Sequence, residues 1–223
     1  MQSKPDIFIA PPCLDEITLL FQDEHLLLIN KPSGLLSLSG KNPLNKDSVH
    51  FRLVQDFPTA TLLHRLDFGT SGIMLVALNK PVNAQLTKQF QAGTISKTYC
   101  AILHGHLAQD SGIIDLPIAK DPPNFPLQKI CYATGKNALT QYSVIERIAS
   151  PPSTRVLFTP ISGRTHQLRI HSRELGHPIL GCDLYKNAES QTMATRLLLH
   201  ATSICFEHPI TDERIEGMSD CPF

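Results

Sequence analysis

Two short apolar runs, residues 16–21 and 26–30, flank a polar Gln-Asp-Glu-His stretch near the start of the chain. This pattern predicts a β-hairpin, and Pro32 and Gly34 in the following NKPSG segment stop its second strand. Residues 48–55 and 81–92 carry helical patterning. In the second of these Asn79 is placed to cap, Pro81 falls in the first turn, and Gly93 follows the end. Leu86 and Phe90 share one face of it. Between the two helices, residues 73–78 form an uninterrupted apolar run of strand length. From Lys97 onward the pattern turns to strands at 98–104, 112–116, 138–148 and 155–159. A helix over 166–175 then stops at Gly176, and two closing strands are expected at 197–199 and 203–206. Proline-bearing connections at 117–126 and 150–153 interrupt the sheet at its margins. Strands that mostly follow one another directly predict an α+β fold, with a mixed, largely antiparallel sheet flanked by helices and loops. No internal repeat divides the chain, so a single domain over residues 1–223 is expected, with 1–15 as an N-terminal extension.

Composition narrows the class. Hydrophobic residues at 42% and charged ones at 18% belong to a globular protein rather than a disordered one. No apolar run reaches the roughly 18 residues of a membrane helix, and the N-terminus lacks a basic start followed by an apolar core. A cytoplasmic, soluble protein without membrane contact is therefore expected. Cysteines 13, 100, 131, 182, 205 and 221 show no C-x-x-C spacing, which argues for reduced thiols and against a structural zinc site. Formal net charge is zero, which counts against nucleic-acid binding by the protein as a whole. Locally the picture differs: residues 151–173 hold Arg155, Arg164, Arg169, Arg173, His166 and His171, with no acid before Glu174. Such a segment is either a solvated surface or a phosphate-binding face.

Three segments carry candidate chemistry. In HRLDFGTSGIMLVA (64–77) Asp67 lies on a glycine-bearing turn beside the apolar strand, where an unpartnered carboxylate would be costly to desolvate. It either caps the turn or acts as nucleophile or base. Metal ligation is not expected, because His64, three residues earlier on extended chain, points to the opposite face. In GRTHQLRIH (163–171) Arg169 emerges between Leu168 and Ile170. A guanidinium in apolar surroundings needs an anionic partner, and Asp67 is the natural candidate; the competing reading is a solvent-facing arginine. In KTYCAI, Tyr99 is either a core aromatic with a bonded hydroxyl or a stacking surface that passes a proton.

Taken together, HRLDFGTSGIMLVA, KTYCAI and GRTHQLRIH, with NKPSG, GHPILGCDLY (176–185) and RLLLHA (196–201), resemble the RluA-type family of pseudouridine synthases over about residues 16–210. CYATGKNALTQY (131–142), with DPPNFP before it, is similar to the family's short A-type branch, which modifies both 23S ribosomal RNA and tRNA. One departure stands out: where the family usually has Gly-Asp after GHPI, this chain has Gly181-Cys182-Asp183. The resemblance implies a single catalytic domain with the pseudouridine synthase fold, no separate RNA-binding domain, no metal and no cofactor. It implies Asp67 as nucleophile, Tyr99 stacked on the target base, and Arg169 paired with Asp67. Whether Asp67 attacks the ribose, attacks the base or removes a sugar proton stays open. The target base must leave its stack, and Arg65, helped by His64, is a candidate to fill the vacated space. Arg155, Arg164, His166 and Arg173 are candidates to hold the RNA backbone. The expected partners are stem-loops of 23S ribosomal RNA (about position 746) and of the tRNA anticodon arm (about position 32), read by a monomer through local loop shape. Two rivals remain: a non-catalytic RNA-binding protein, and a metal-dependent hydrolase built on His64, Asp67, His166 and His171.

Overall fold

The computed structural model describes residues 8–223, so residues 1–7 of the expected N-terminal extension lie outside the described residues. In chain order the first elements are β1 (Thr18–Gln22), β2 (Leu26–Lys31), α1 (Val49–Asp56), β3 (Thr61–Leu62), β4 (Ser71–Ala77) and α2 (Lys80–Ala92). There follow β5 (Ser96–His104), β6 (Ser111–Asp115), β7 (Ile118–Lys120), β8 (Gln128–Ile130), β9 (Leu139–Ile148) and β10 (Ser153–Pro160). The chain closes with α3 (Gln167–Glu174), β11 (Leu199–Glu207) and β12 (Arg214–Met218). These elements form two compact units: one of residues up to 95 together with 203–220, the other of residues 96–202 together with 221–223.

In the first unit β1 and β2 form the expected antiparallel hairpin, and β4 pairs antiparallel with both β2 and β3. All seven residues of β4 are buried, which is why its sequence reads as one apolar run instead of an alternation. Asp23 organises the hairpin turn by accepting the N–H groups of His25 (2.7 Å) and Leu26 (2.8 Å), and His208 Nε2 lies 2.9 Å from its carboxylate. Burial pushes the Asp23 pKa up, but these hydrogen bonds outweigh it and leave the carboxyl below its ordinary range. Asn79 caps α2 as the sequence predicts, its Oδ1 accepting from Val82 N–H at 3.0 Å, and α1 begins one residue later than its pattern suggested because Ser48 is its cap, with Oγ accepting from Phe51 N–H at 3.1 Å. The later segment of this unit is tied to the earlier one. Gln89 Nε2 donates to Glu207 O at 2.7 Å, and its Oε1 accepts from Glu207 N–H at 3.1 Å.

In the second unit β5, β10, β9 and β6 pair antiparallel in that order. Their core holds Leu103, Val156, Phe158, Ile170, Tyr185 and Leu199. With an isolated parallel bridge between Leu36 and Ser48 in the first unit, the strands are mixed and largely antiparallel, and the fold is α+β.

Three expectations need correction. The strands read at 197–199 and 203–206 are one strand, β11; Thr202, the polar residue that broke the reading, bonds its hydroxyl to that of Thr98 at 2.8 Å. The proline-bearing stretch after 117 contains the β7–β8 ladder, in which Ile118 pairs with Ile130 across the turn that the prolines make. β12 went unread because only Gly217 of its five residues is buried, so the strand carries no apolar signal.

Candidate active site

In the first unit Asp67 sits on a loop whose backbone is tied at nearly every residue. Ser37 Oγ donates to Leu66 O at 2.7 Å and accepts from Leu66 N–H at 3.1 Å. Gly34 N–H donates to Phe68 O at 2.9 Å, Ser33 Oγ to Gly69 O at 2.7 Å, and Thr70 N–H to Asp67 O at 3.0 Å. Beneath them lies Lys31, fully buried at the end of β2. Its ammonium donates to Pro32 O (2.9 Å), Leu35 O (2.7 Å) and Phe68 O (3.3 Å). The NKPSG segment is thus a clamp on the HRLD loop, and Gly72, at φ 116°, takes the chain on into β4. A half-buried carboxylate held this way has little freedom to move, which is what a reacting group requires.

His64 and Arg65 precede it. His64 Nε2 accepts the Leu75 N–H at 3.0 Å, and its ring lies 5.3 Å from that of Phe90, so this imidazole pins the loop to β4. Arg65 is exposed.

In the second unit Tyr99 lies on β5 opposite Phe158 of β10, half-buried and packed against the core. Lys97 shares its face of the strand, and burial lowers the pKa of that ammonium. A Cβ on Gly163 would lie 3.9 Å from Lys97 Nζ, so the starts of KTYCAI and GRTHQLRIH are neighbours. The turn entering α3 is built on Gln167, which sequence reasoning passed over. Its Oε1 accepts from Ser162 Oγ (2.8 Å) and Arg164 N–H (3.0 Å), and its Nε2 donates to Leu139 O (3.0 Å) and Thr140 Oγ1 (2.9 Å). His166 adopts a left-handed backbone at φ 57°, rare for a residue with a side chain. Its Nδ1 lies 2.9 Å from the Tyr185 hydroxyl.

Tyr185 is the buried hub of this group. The guanidinium carbons of Arg169 and Arg173 lie 5.5 and 5.4 Å from its ring centre. His166, Arg169 and Arg173 are therefore brought together, whereas Arg155 bonds to the main-chain oxygen of Phe223 and lies 3.7 Å from Glu146. Arg164 is exposed, with its Nε donating to Asn137 O at 3.0 Å. His171 is fully buried, with Nδ1 2.9 Å from Thr140 Oγ1 and Nε2 3.1 Å from Leu116 O. Burial lowers its pKa, and both ring nitrogens are engaged. The lone pairs that a hydrolase metal would need from His64 and His171 are thus already committed.

The Cys182 departure has a local explanation. Arg169 is 4% exposed, and its Nε and Nη2 each lie 3.5 Å from the buried Cys182 Sγ. Its Nη2 also bonds the carboxylate of Asp183, so an acid one position later in the chain reaches the guanidinium. Gly181 makes this loop possible: at φ 69°, a Cβ there would come within 1.9 Å of Arg196 O. Because the Asp183 side chain is 68% exposed, Asp183→Asn is expected to cost only about 0.5 kcal/mol. Arg169→Ala removes the buried partner and its packing on Tyr185, and is expected to cost about 2 to 3 kcal/mol. Urea unfolding of the two variants measures this, and equal losses would mean that the ion pair, not burial, sets the stability.

A profile of the family described as RNA pseudouridylate synthase matches residues 25–174. The Yersinia pestis protein named dual-specificity RNA pseudouridine synthase RluA is 54% identical over 190 residues, covering 85% of this chain and 92% of the relative. The protein of that name from Escherichia coli K12 is 47% identical over 199 residues, covering 89% and 90%. Among solved structures, human RNA pseudouridylate synthase domain containing 1 superposes with a TM-score of 0.78 at 29% identity, covering 96% of this chain and 86% of that one. The match spans the loop that carries Asp67, the strand of Tyr99 and the helix of Arg169, and with it the chain belongs to the RNA pseudouridylate synthase family, isomerases that act on uridine in RNA.

Proposed function

We propose that this enzyme converts uridine to pseudouridine in two RNA contexts, a 23S ribosomal RNA hairpin (about position 746) and the tRNA anticodon loop (about position 32). The observation that carries the reading is the clamped Asp67 loop in a chain that shares half its residues with enzymes named dual-specificity. The reaction breaks the bond from ribose C1′ to N1 of uracil and forms one from C1′ to C5. The C5 proton is lost and N1 gains one, so nothing is consumed and no redox partner is called for. Asp67 is assigned the reacting carboxylate, Tyr99 the ring on which the loosened uracil stacks, and Arg169 the fixed positive charge that favours the ionised acid. Arg65 and His64 occupy the space left by the flipped base. Arg155, Arg164, His166 and Arg173 are assigned to the backbone, with Arg155 and Arg173 also bonded within their own unit. The enzyme acts as a monomer in the cytoplasm.

The test uses purified protein with no added metal or cofactor, on a minimal anticodon stem-loop and on the ribosomal hairpin separately. Pseudouridine in both is the expected result; activity on neither, alongside activity on another RNA, would assign a different target. Affinity is expected to fall with salt at a log–log slope of about −0.7 per phosphate contact. Arg164→Ala, at an exposed position, is expected to reduce that slope by about one such contact. An unchanged slope would remove Arg164 from the backbone-binding group.

A further inference from the structure

Residues 8–15 run outside every helix and strand of the first unit, yet their backbone is held at both ends. Asn45, 2% exposed, staples one end: its Nδ2 donates to Phe8 O at 2.7 Å and its Oδ1 accepts from Ala10 N–H at 2.8 Å. Gly40 packs so closely on this asparagine that a Cβ there would come within 2.8 Å of Asn45 Cβ. Arg52 forks over the other end, Nη1 donating to Asp15 O and Nη2 to Cys13 O, both at 2.6 Å. Asp47 fixes that guanidinium in turn, accepting from Nε at 2.8 Å and from Nη2 at 2.7 Å. Between the two ties lie Pro11 and Pro12, which stiffen the chain. The strap held this way buries little of itself, for Phe8 is 47% exposed and Ile9 53%. The Phe8 ring meets that of Phe68 edge to face, with centres 5.4 Å apart and planes at 76°, and Phe68 directly follows Asp67. An exposed apolar side chain is ordinary by itself. Fixing the backbone beneath it with a buried amide and a braced guanidinium is not, because nothing in the core gains from the order imposed.

We propose that Phe8 is a base-stacking residue: the strap of residues 8–15 holds its ring beside the Asp67 loop, where a base next to the target uridine lies on it. The inference rests on Asp67 as the reacting carboxylate. The occupant is RNA, since the chain belongs to a family that acts on uridine in RNA, and RNA loops place unstacked bases on aromatic side chains. A uridine that reacts at Asp67 brings its neighbours in the strand to this loop, and its flipping leaves them without a stacking partner. A ring fixed before binding supplies that partner at little cost in ordering. Stacking reads the face of a base and none of its hydrogen-bonding edge. One ring therefore serves two RNAs of different sequence, provided that each presents a base at the same place in its loop.

The test substrate is purified RNA from cells that lack the enzyme, labelled with tritium at C5 of uridine, which holds the natural target whatever its sequence. Phe8→Leu keeps apolar bulk against Phe68 but loses the flat ring. It is expected to raise the apparent KM about 5- to 100-fold, the effect of losing one base–aromatic stack. Its kcat is expected to stay within about twofold of wild type, because binding and not the chemical step is weakened. Phe8→Tyr is expected to restore the wild-type KM. Asn45→Ala, which frees the Phe8 backbone, is expected to show the same split as Phe8→Leu; where it folds poorly, the two Phe8 variants decide. A strap that only braced the catalytic loop would give the opposite split, with kcat falling and KM little changed. That result would overturn the proposal, as would a wild-type KM in Phe8→Leu. The two readings fail separately: turnover by Asp67→Asn takes the reacting role from that acid, whereas Phe8 is judged on KM.

Discussion

Asp67→Asn is expected to keep the folded structure and RNA binding while cutting pseudouridine formation by at least about 100-fold, the loss that follows when a positioned acid or base is removed. The amide matches the carboxylate in size. The turn around it is held through the Asp67 backbone oxygen, which accepts from Thr70 N–H at 3.0 Å, and asparagine retains that bond. What it lacks is a negative oxygen that can attack carbon or take a proton. Release of tritium from RNA labelled at C5 of uridine measures the reaction, and urea unfolding measures the fold. Residual turnover above a few per cent in the purified variant would take the reacting role away from Asp67.

Lys31→Met is the complementary case, in which activity and stability fall together. Methionine fills much of the volume but offers no donor to the carbonyls of Pro32 and Leu35, while Phe68 O keeps the Gly34 N–H. A buried acceptor left without a donor costs about 1 to 3 kcal/mol. Removal of the desolvated charge offsets part of the two losses, so a net destabilisation of about 2 to 4 kcal/mol is expected. The same change loosens the clamp on the loop that holds Asp67, and kcat is expected to fall more than tenfold with KM little altered, since small misplacements of a reacting group are expensive. Wild-type stability combined with lost turnover would make Lys31 a participant in the chemistry rather than a support for it.

The contrast between these two residues shows what could be read without coordinates. Asp67 could be singled out as a candidate because its acid lies on a glycine-bearing turn beside an apolar strand, within HRLDFGTSGIMLVA. Lys31 was not: a lysine before proline reads as a solvated strand end, and only the fold shows three carbonyls converging on its ammonium. Gln167 was hidden in the same way, since its four hydrogen bonds come from residues at 139–140 and 162–164 that no local pattern links to it. The helix cap at Asn79 was legible because capping is a contact within one turn. β12 and the β7–β8 ladder were not, because a mostly exposed strand and a proline-rich turn lack apolar alternation. At Cys182 the sequence announced a missing acid, and the structure supplies one from the next residue.

The first unit is assembled from chain segments made far apart in time. Residues 203–220 leave the ribosome only after the 107 residues of the intervening 96–202 segment have been made. At about 5 to 20 residues per second that delay is on the order of 5 to 20 s. Until then Leu28 and Ile73 lack Gly217, whose backbone packs so closely on them that a Cβ there would come within 2.5 and 2.8 Å of their side chains. Gln89 likewise waits for Glu207, and Asp23 for His208. During that interval a nascent chain that already contains the Asp67 loop carries an uncovered apolar strand pair, the kind of surface that chaperones bind. Destabilising substitutions in the hairpin are therefore expected to lower the yield of newly made protein more than they lower the stability of protein already folded.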